Sequence, residues 1–351
     1  MLATVLLLVV SGLAAVGVAS APSVSGSSSL ATASGSYSWT QLYPSTLPTT
    51  RDQLQMTYDP ALKEVVLFGG YDPHVHPDGD TWVYQSAAWT NITPTLKTSP
   101  AARWGGSLAY DPTLKAVVLF GGRDLTRFFS DTWYFDAKGW HHVTTTTHPS
   151  ERSGASMAFD PVDHYLLLFG GGKGNLPAGS ESPWTYYNDT WKFSGGAWHK
   201  LRTAPFAPTD AMHFLYDPVD HYMMAEGGAQ LTSPTSSVLL NETWSYVGGS
   251  WMPIRTSGAP PTMAAEGCIA WDDQTGSAIL FGGEYGVPEI NTTWSYVGGV
   301  WTNLTGSLSV SPPVRAACGL AYDAASHYLF LFGGDTVAPN YTYYNDNWEF
   351  T

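Results

Sequence analysis

Hydrophobic and polar positions recur along this chain in a fixed order. A short alternating run ends in an aromatic residue followed by Asp, at Tyr58-Asp59, Tyr110-Asp111, Phe159-Asp160, Tyr216-Asp217, Trp271-Asp272 and Tyr322-Asp323. A wholly apolar run then closes on two glycines, as in "VVLFGG" at 65–70, "LLLFGG" at 166–171 and "AILFGG" at 278–283. After a stretch of variable length comes a Trp, and seven residues later a second: Trp82 and Trp89, Trp133 and Trp140, Trp191 and Trp198, Trp244 and Trp251, Trp294 and Trp301. The unit repeats about every fifty residues.

Each unit predicts four strands. Asp-Pro, present in four of the six aromatic–Asp steps, suits the start of a type I turn. The apolar run fits a strand covered on both faces. "TW-x-aromatic" sets Trp82 and Tyr84 on one face of a third strand. The Gly pairs in "SGGA", "VGGS" and "VGGV" match a two-residue hairpin, and the second Trp opens the fourth strand. No helical period competes after residue 36. Four antiparallel strands repeated about an axis make an all-β propeller, whose blades bury their faces on one another.

Two tryptophans stand alone. Trp39 in "SYSWTQL" has no first Trp before it, and Trp348 in "YNDNWEFT" has no second after it. The expectation is that strand 37–42 pairs beside strand 346–351 and completes the sixth blade, leaving no open sheet edge.

The Gly pair after an apolar strand, the first Trp after a variable loop and the second Trp beyond it resemble the kelch repeat. The resemblance covers residues 37–351. It implies a six-bladed β-propeller of four-stranded kelch-type blades, the last closed by the N-terminal strand. Such propellers serve as adhesion modules, substrate receptors and enzymes, so the fold does not choose among them.

Net charge is −14 and charged residues are 13% of the chain, which excludes nucleic acid as the main partner. Residues 1–19 form an apolar run ending in small residues, expected to be a signal peptide or a membrane anchor. The usual basic start is missing, since the first Lys or Arg is Arg51. Residues 20–36 read as a flexible Ser/Gly/Ala linker. Six of nine asparagines lie in glycosylation sequons: Asn91, Asn188, Asn241, Asn291, Asn303 and Asn340. The protein is therefore expected outside the cell or on its surface, touching membrane only through its N-terminal segment if that is uncleaved.

Candidate chemistry collects at one face. The loops between second and third strands, at 71–79, 123–130, 172–188, 229–241, 284–291 and 335–345, share it. The third and sixth end alike, in "WTYYND" and "YTYYND", so Trp184, Tyr186, Tyr187, Tyr341, Tyr343 and Tyr344 are expected to frame a mouth for sugar rings or extended peptides. The other reading packs these rings onto the blades. Arg51, Arg103, Arg152 and Arg315 each lie seven residues before an aromatic–Asp step, where they could bind a carboxylate or sulfate. An Arg there also resembles part of the kelch repeat, and pairing with neighbouring carboxylates or carbonyls is the preferred reading.

His74 and His76, with Asp72, Asp78 and Asp80, form a weak metal pattern, and a solvated loop is favoured. The kelch family includes copper-radical oxidases that need a Tyr–Cys cross-link and His ligands. Neither Cys268 nor Cys318 sits on such a loop, so no catalytic residue and no cofactor is assigned. The two cysteines lie on adjacent innermost strands with opposite parity, as a bridge between blades requires, or else remain two buried thiols. The function expected is an exported binding or adhesion module for glycan or protein ligands, with a carbohydrate-active oxidase or lyase as the alternative.

Overall fold

The computed structural model describes residues 37–72, 74, 76–174, 184–233, 236–258, 265–283, 290–336 and 341–351. The apolar run, the linker to residue 36 and the sequon at Asn340 lie outside the described residues. Among the described residues there are six four-stranded antiparallel sheets, two short 3-10 turns and no α-helix.

The first sheet runs outward through Gln55–Asp59, Glu64–Phe68, Thr81–Gln85 and Ala88–Asn91. The same order recurs in sheets whose innermost strands are Ser107–Asp111, Ser156–Asp160, His213–Asp217, Cys268–Asp272 and Gly319–Asp323. In the last sheet the outermost strand is Trp39–Leu42, which pairs antiparallel with Asn347–Phe350 in the register Trp39↔Phe350. Ser38 and Thr351 extend the ladder with backbone hydrogen bonds of 2.9 and 3.1 Å.

Local chemistry sets the strand ends. Asp59 Oδ1 accepts hydrogen bonds from the backbone N–H of Ala61 (2.8 Å) and Leu62 (3.2 Å), which turns the chain back on itself. Asp111, Asp160, Asp217 and Asp323 do the same. The hairpin between the outer strands of the third sheet needs two left-handed residues, supplied by Gly195 (φ 58°) and Gly196 (φ 79°). At Gly69 (φ 65°) a Cβ would sit 2.3 Å from the Arg103 carbonyl oxygen, so the close approach of the second sheet's backbone excludes any side chain.

Most of the packing lies between sheets. Val65, Val66, Leu67 and Phe68 are fully buried, because neighbours cover both faces of their strand. Leu67, Tyr84 and Trp89 of the first sheet share a core with Phe330 and Phe332 of the sixth, and Tyr84 stacks on Phe330 at 4.0 Å. Trp39 joins Ile279 and Phe281 of the fifth sheet. The second Trp of each unit also reaches back to the preceding sheet. The indoles of Trp140, Trp198 and Trp251 donate to Thr81, Thr132 and Thr190 over 2.8–3.0 Å.

The innermost strands stand side by side around an axial channel. Gln55–Asp59 contacts both Ser107–Asp111 and Gly319–Asp323. At one end of the channel Gln53, Gly105, Gly154, Ala211, Glu266 and Ala317 all adopt positive φ, between 43° and 66°. That geometry turns each N–H toward the adjacent sheet. Gln53 donates to the Ala317 carbonyl (2.9 Å), Gly105 to Gln53 (2.9 Å), Gly154 to Gly105 (2.8 Å), Ala211 to Gly154 (3.1 Å) and Ala317 to Glu266 (2.7 Å).

One layer deeper, side chains stitch the same seams. Ser107 Oγ donates to the Ala155 carbonyl and Ser156 Oγ to the Met212 carbonyl, at 2.5 and 2.7 Å. At the corresponding place the fifth and sixth sheets are joined covalently. Cys268 and Cys318 form a disulfide with their Cα atoms 5.7 Å apart, so neither is a free thiol.

Candidate functional site

The four arginines turn inward. Arg51, Arg103, Arg152 and Arg315 are all fully buried, and each grips one carboxylate with both terminal nitrogens. Arg103 holds Asp131 at 2.6 and 2.9 Å and donates also to the Gly121 and Ala101 carbonyls. Its partners number Asp80 for Arg51, Asp189 for Arg152 and Asp346 for Arg315. The first Trp of each of these four units completes the arrangement. Trp133 Nε1 donates to Asp131 and Trp348 Nε1 to Asp346. Burial alone would raise the Asp131 carboxyl, but hydrogen bonds from Arg103 and its charge hold it below its usual range. Buried and paired with their own carboxylates and nearby carbonyls, these arginines fit the preferred reading of the sequence rather than the ligand-binding one.

The expected aromatics divide into three groups. Tyr187 lies over Arg152 at 4.1 Å and Tyr344 over Arg315 at 4.2 Å, so both cover buried guanidinium groups and do not line a mouth. Tyr341 stands in solvent, 70% exposed. Trp184, Tyr186 and Tyr343 are half-buried.

The described ends of the loops that carry them pair as short antiparallel strands. Gly172–Lys173 pairs with Thr185–Tyr186, and Asp335–Thr336 with Thr342–Tyr343. Residues following the Gly pairs bridge to residues following the buried arginines: Tyr71 to Asp52, Arg123 to Trp104, Asp335 to Ala316. This layer sits beside the collar of left-handed residues and rims the channel.

A continuous aromatic arc results. Tyr343 lies 6.3 Å from Tyr71, and Tyr71 lies 5.1 Å from Trp104. The Arg123 guanidinium lies 5.0 Å from the Trp104 ring and 5.4 Å from the Trp184 ring, and Trp184 continues to Tyr186 at 6.2 Å. Third- and sixth-sheet loops are thus connected through the first and second sheets. Tyr71, Trp104 and Arg123 escaped the sequence reading. Their signal was a pair of positions, directly after the Gly pair and directly after the buried arginine, whose chemistry changes from unit to unit.

Acidic residues stand beside this arc. Asp52 (7% exposed) bridges to Tyr71, Asp335 pairs with Tyr343, and Asp210 and Glu266 act on Arg123. Burial, reinforced by Asp335, pushes the Asp52 carboxyl up to about 8. Burial also raises Asp210, to about 7. For Arg123 burial lowers the guanidinium value, against the pull of Asp210, Glu266 and Asp52. Nevertheless Arg123 makes no ion pair among the described residues.

Other candidates resolve simply. Asp80 is held by Arg51, Asp78 lies 3.6 Å from Arg51 Nε, and Asp72 Oδ1 accepts the His74 backbone N–H. Among the described residues no group of three His, Cys, Asp or Glu could hold a metal. Asn91, Asn241 and Asn303 are exposed, whereas Asn291 is half-buried and Asn188 donates its amide to the Phe206 carbonyl.

The sequence pattern of the KLHDC2/KLHL20/DRC7 Kelch-repeats domain matches residues 24–228, more than half of the chain. The chain belongs to the kelch-repeat family. Its kelch fold is shared by a solved structure titled "Structure of YjhT", with a TM-score of 0.62 and 14% identity, over 87% of this chain and 95% of that one. No curated protein matches the chain in sequence. A kelch propeller of this kind is a protein-binding or enzyme-like module, and the rim is where its units differ most from one another.

Proposed function

We propose that this chain is an exported, six-bladed kelch propeller closed by strand Trp39–Leu42, and that its rim binds a glycan. Trp39 supports the closure because it repeats a bond made by its counterparts: its indole donates to Thr293 of the preceding blade over 3.0 Å. Export is supported by the Cys268–Cys318 bridge and by the exposed sequons at Asn91, Asn241 and Asn303. The observation that carries glycan binding is the aromatic arc from Tyr343 through Tyr71 and Trp104 to Trp184. Flat, rigid faces spaced along a rim match the apolar faces of consecutive sugar rings at little cost in side-chain freedom.

The test is a glycan array probed with the purified protein and with Tyr71→Ala and Trp184→Ala. Loss of glycan binding in both, with unchanged thermal melting, supports the reading. Binding that survives both changes removes the arc as the site, and a protein ligand would then replace the glycan.

The raised Asp52 carboxyl favours one further reading, a carbohydrate-active enzyme in which Asp52 is the proton donor. Incubation with the array's best glycan, followed by NMR, separates the two: breakdown abolished by Asp52→Asn indicates catalysis, and an intact glycan indicates a receptor.

A further inference from the structure

Arg123 differs from the buried arginines in what its nitrogens meet. Arg103 engages all three of its own, on Asp131 and on the Gly121 and Ala101 carbonyls. Backbone bridges to Trp104 and Phe128 fix the Arg123 main chain on the rim. Its half-buried guanidinium lies 5.0 Å from the Trp104 ring, 5.4 Å from Trp184 and 5.9 Å from Phe128. Ring faces answer its charge without supplying the oxygen acceptors its N–H groups can take. Among the described residues it makes no ion pair, and its Nε is buried without a partner. On its own loop Asp124 is already engaged, by the Thr126 and Arg127 N–H groups and by Arg127 Nε at 3.6 Å. Asp210, Glu266 and Asp52 pull on Arg123 from other blades, beyond ion-pair distance. Burial raises Asp52 to about 8 and Asp210 to about 7, so both hold their protons in mildly acidic solution. Its charge is then opposed chiefly by Glu266. Half-buried donors in this state call for an anionic acceptor.

We infer that the rim selects a saccharide carrying a single sulfate ester, its oxygens on the terminal nitrogens of Arg123 and its sugar rings along the aromatic arc. This rests on the glycan reading and names its ligand class. The two terminal nitrogens form a fixed fork that two oxygens of one anion can accept together. A guanidinium is weakly hydrated, and this one already sits among rings, so it favours an anion that sheds water readily. A sulfate ester spreads one charge over three oxygens, whereas a carboxylate holds it on two and costs more to desolvate. One charge suits the site better than many, because a net charge of −14 repels a polyanion. The arc favours a saccharide over a sulfated side chain of a peptide. A single side chain would fill the box around Arg123 and leave Tyr71 and Tyr343, further along, without a ring to cover.

The experiment is calorimetric titration of the full chain in mildly acidic buffer. The probes are a β-1,4-linked galactose tetramer with one 6-sulfate, the unsulfated tetramer, a tetramer with one galacturonic acid at the same place, and a sulfotyrosine peptide. The sulfated tetramer is expected to bind at least ten-fold more tightly than each of the others. Arg123→Gln should bring it down to the level of the unsulfated one. Arg123→Lys, which keeps the charge without the fork, should retain part of the margin and repeats the test if the glutamine variant unfolds. Raising the pH past 8 should weaken the sulfated tetramer alone, as Asp52 and Asp210 become charged beside Arg123. Equal binding of sulfated and unsulfated tetramers overturns the anion inference while the glycan reading stands. A preference that survives Arg123→Gln overturns the assignment to Arg123. A galacturonic tetramer that matches the sulfated one overturns the choice of sulfate, and a matching sulfotyrosine peptide overturns the saccharide. No binding of any tetramer, together with a blank glycan array, overturns both readings.

Discussion

Trp39 and Thr293 are 254 positions apart in the chain, and the Trp39 indole donates to the Thr293 hydroxyl at 3.0 Å. Trp140, Trp198 and Trp251 make the same bond to the Thr of the blade before them. Trp89 makes its version to Asn347, which occupies the Thr position of the last unit. Trp39 thus makes the same kind of bond as those second tryptophans, which is what the proposed closure of the last blade requires.

Removing that ring should be costly. Trp39 is 3% exposed and packs on Phe281 and Phe350 at 5.1 and 4.8 Å. Trp39→Ala is expected to destabilise by about 3–5 kcal/mol, as large core truncations do. Trp39→Phe keeps most of the packing but loses the hydrogen bond, for about 1 kcal/mol. Trp301→Phe is the control, since the Trp301 indole nitrogen is buried without a partner and the swap removes no bond. Urea unfolding of the three variants checks this order. A Trp39→Ala protein as stable as the parent would remove the closure.

Arg103→Ala should unfold the second blade's loop without touching a ligand. It leaves Asp131 beside the half-buried Trp133 indole and without its counterion, a loss of about 3–5 kcal/mol. Arg103→Lys should recover only part of it, because one ammonium cannot replace a two-pronged grip that also reaches the Gly121 carbonyl. Glycan affinity per folded molecule should stay the same in Arg103→Lys. A specific loss of affinity with normal stability would return the arginines to the binding site.

Reduction of Cys268–Cys318 provides a third check. The bridge closes a loop of 50 residues, for which the chain-entropy relation gives about 4 kcal/mol. A Cys268→Ser, Cys318→Ser double variant should melt below the parent, and dithiothreitol should lower the parent to the same value while leaving the variant unchanged. Equal melting of oxidised and reduced protein would show that this seam is held by packing alone.

Stability should fall as pH rises toward 8. The Asp52 carboxyl moves from 3.8 to about 8 on folding, chiefly through burial. Between those values the folded protein keeps a proton that the unfolded chain releases, so the unfolding free energy drops with increasing pH. Glu64 and Asp78, each raised by burial to about 7, add to the same slope. Asp52→Asn removes its share and should flatten the curve. Urea midpoints measured across this window check the direction, and an upward trend contradicts it.

The repeated hairpins were legible because their cause is local. Two Trp seven residues apart around a Gly pair specify a turn and a shared face, whatever surrounds them. The arginines were harder, since Arg51 meets Asp80 29 positions later and the aromatic covers of Arg152 and Arg315 arrive on loops. Regular spacing marked them as equivalent but did not show that their donors were occupied. The rim was hardest. Asp52, Tyr71, Trp104 and Arg123 form a site only because the backbone bridges Asp52↔Tyr71 and Trp104↔Arg123 set neighbouring units side by side. The sequence also carried an unread exception in "MMAEGG". Glu226 replaces the usual Phe and accepts a 2.5 Å hydrogen bond from the His213 ring, so two ionisable groups pair inside the wall where other units set Phe opposite Gln55, Ser107 or Ser156.

The hydrogen-bonded meeting of Ser38 with Thr351 makes the order in which the sheets follow one another along the chain a matter of convenience. In a version trimmed to residues 37–351, a few added residues would weld the two into a cycle, and a cut at the open Gly248-Gly249 turn would give a rearranged gene product with every sheet neighbour retained. Such a permutant would begin and end on the outer edge of the fourth blade, leaving the former junction as an ordinary hairpin.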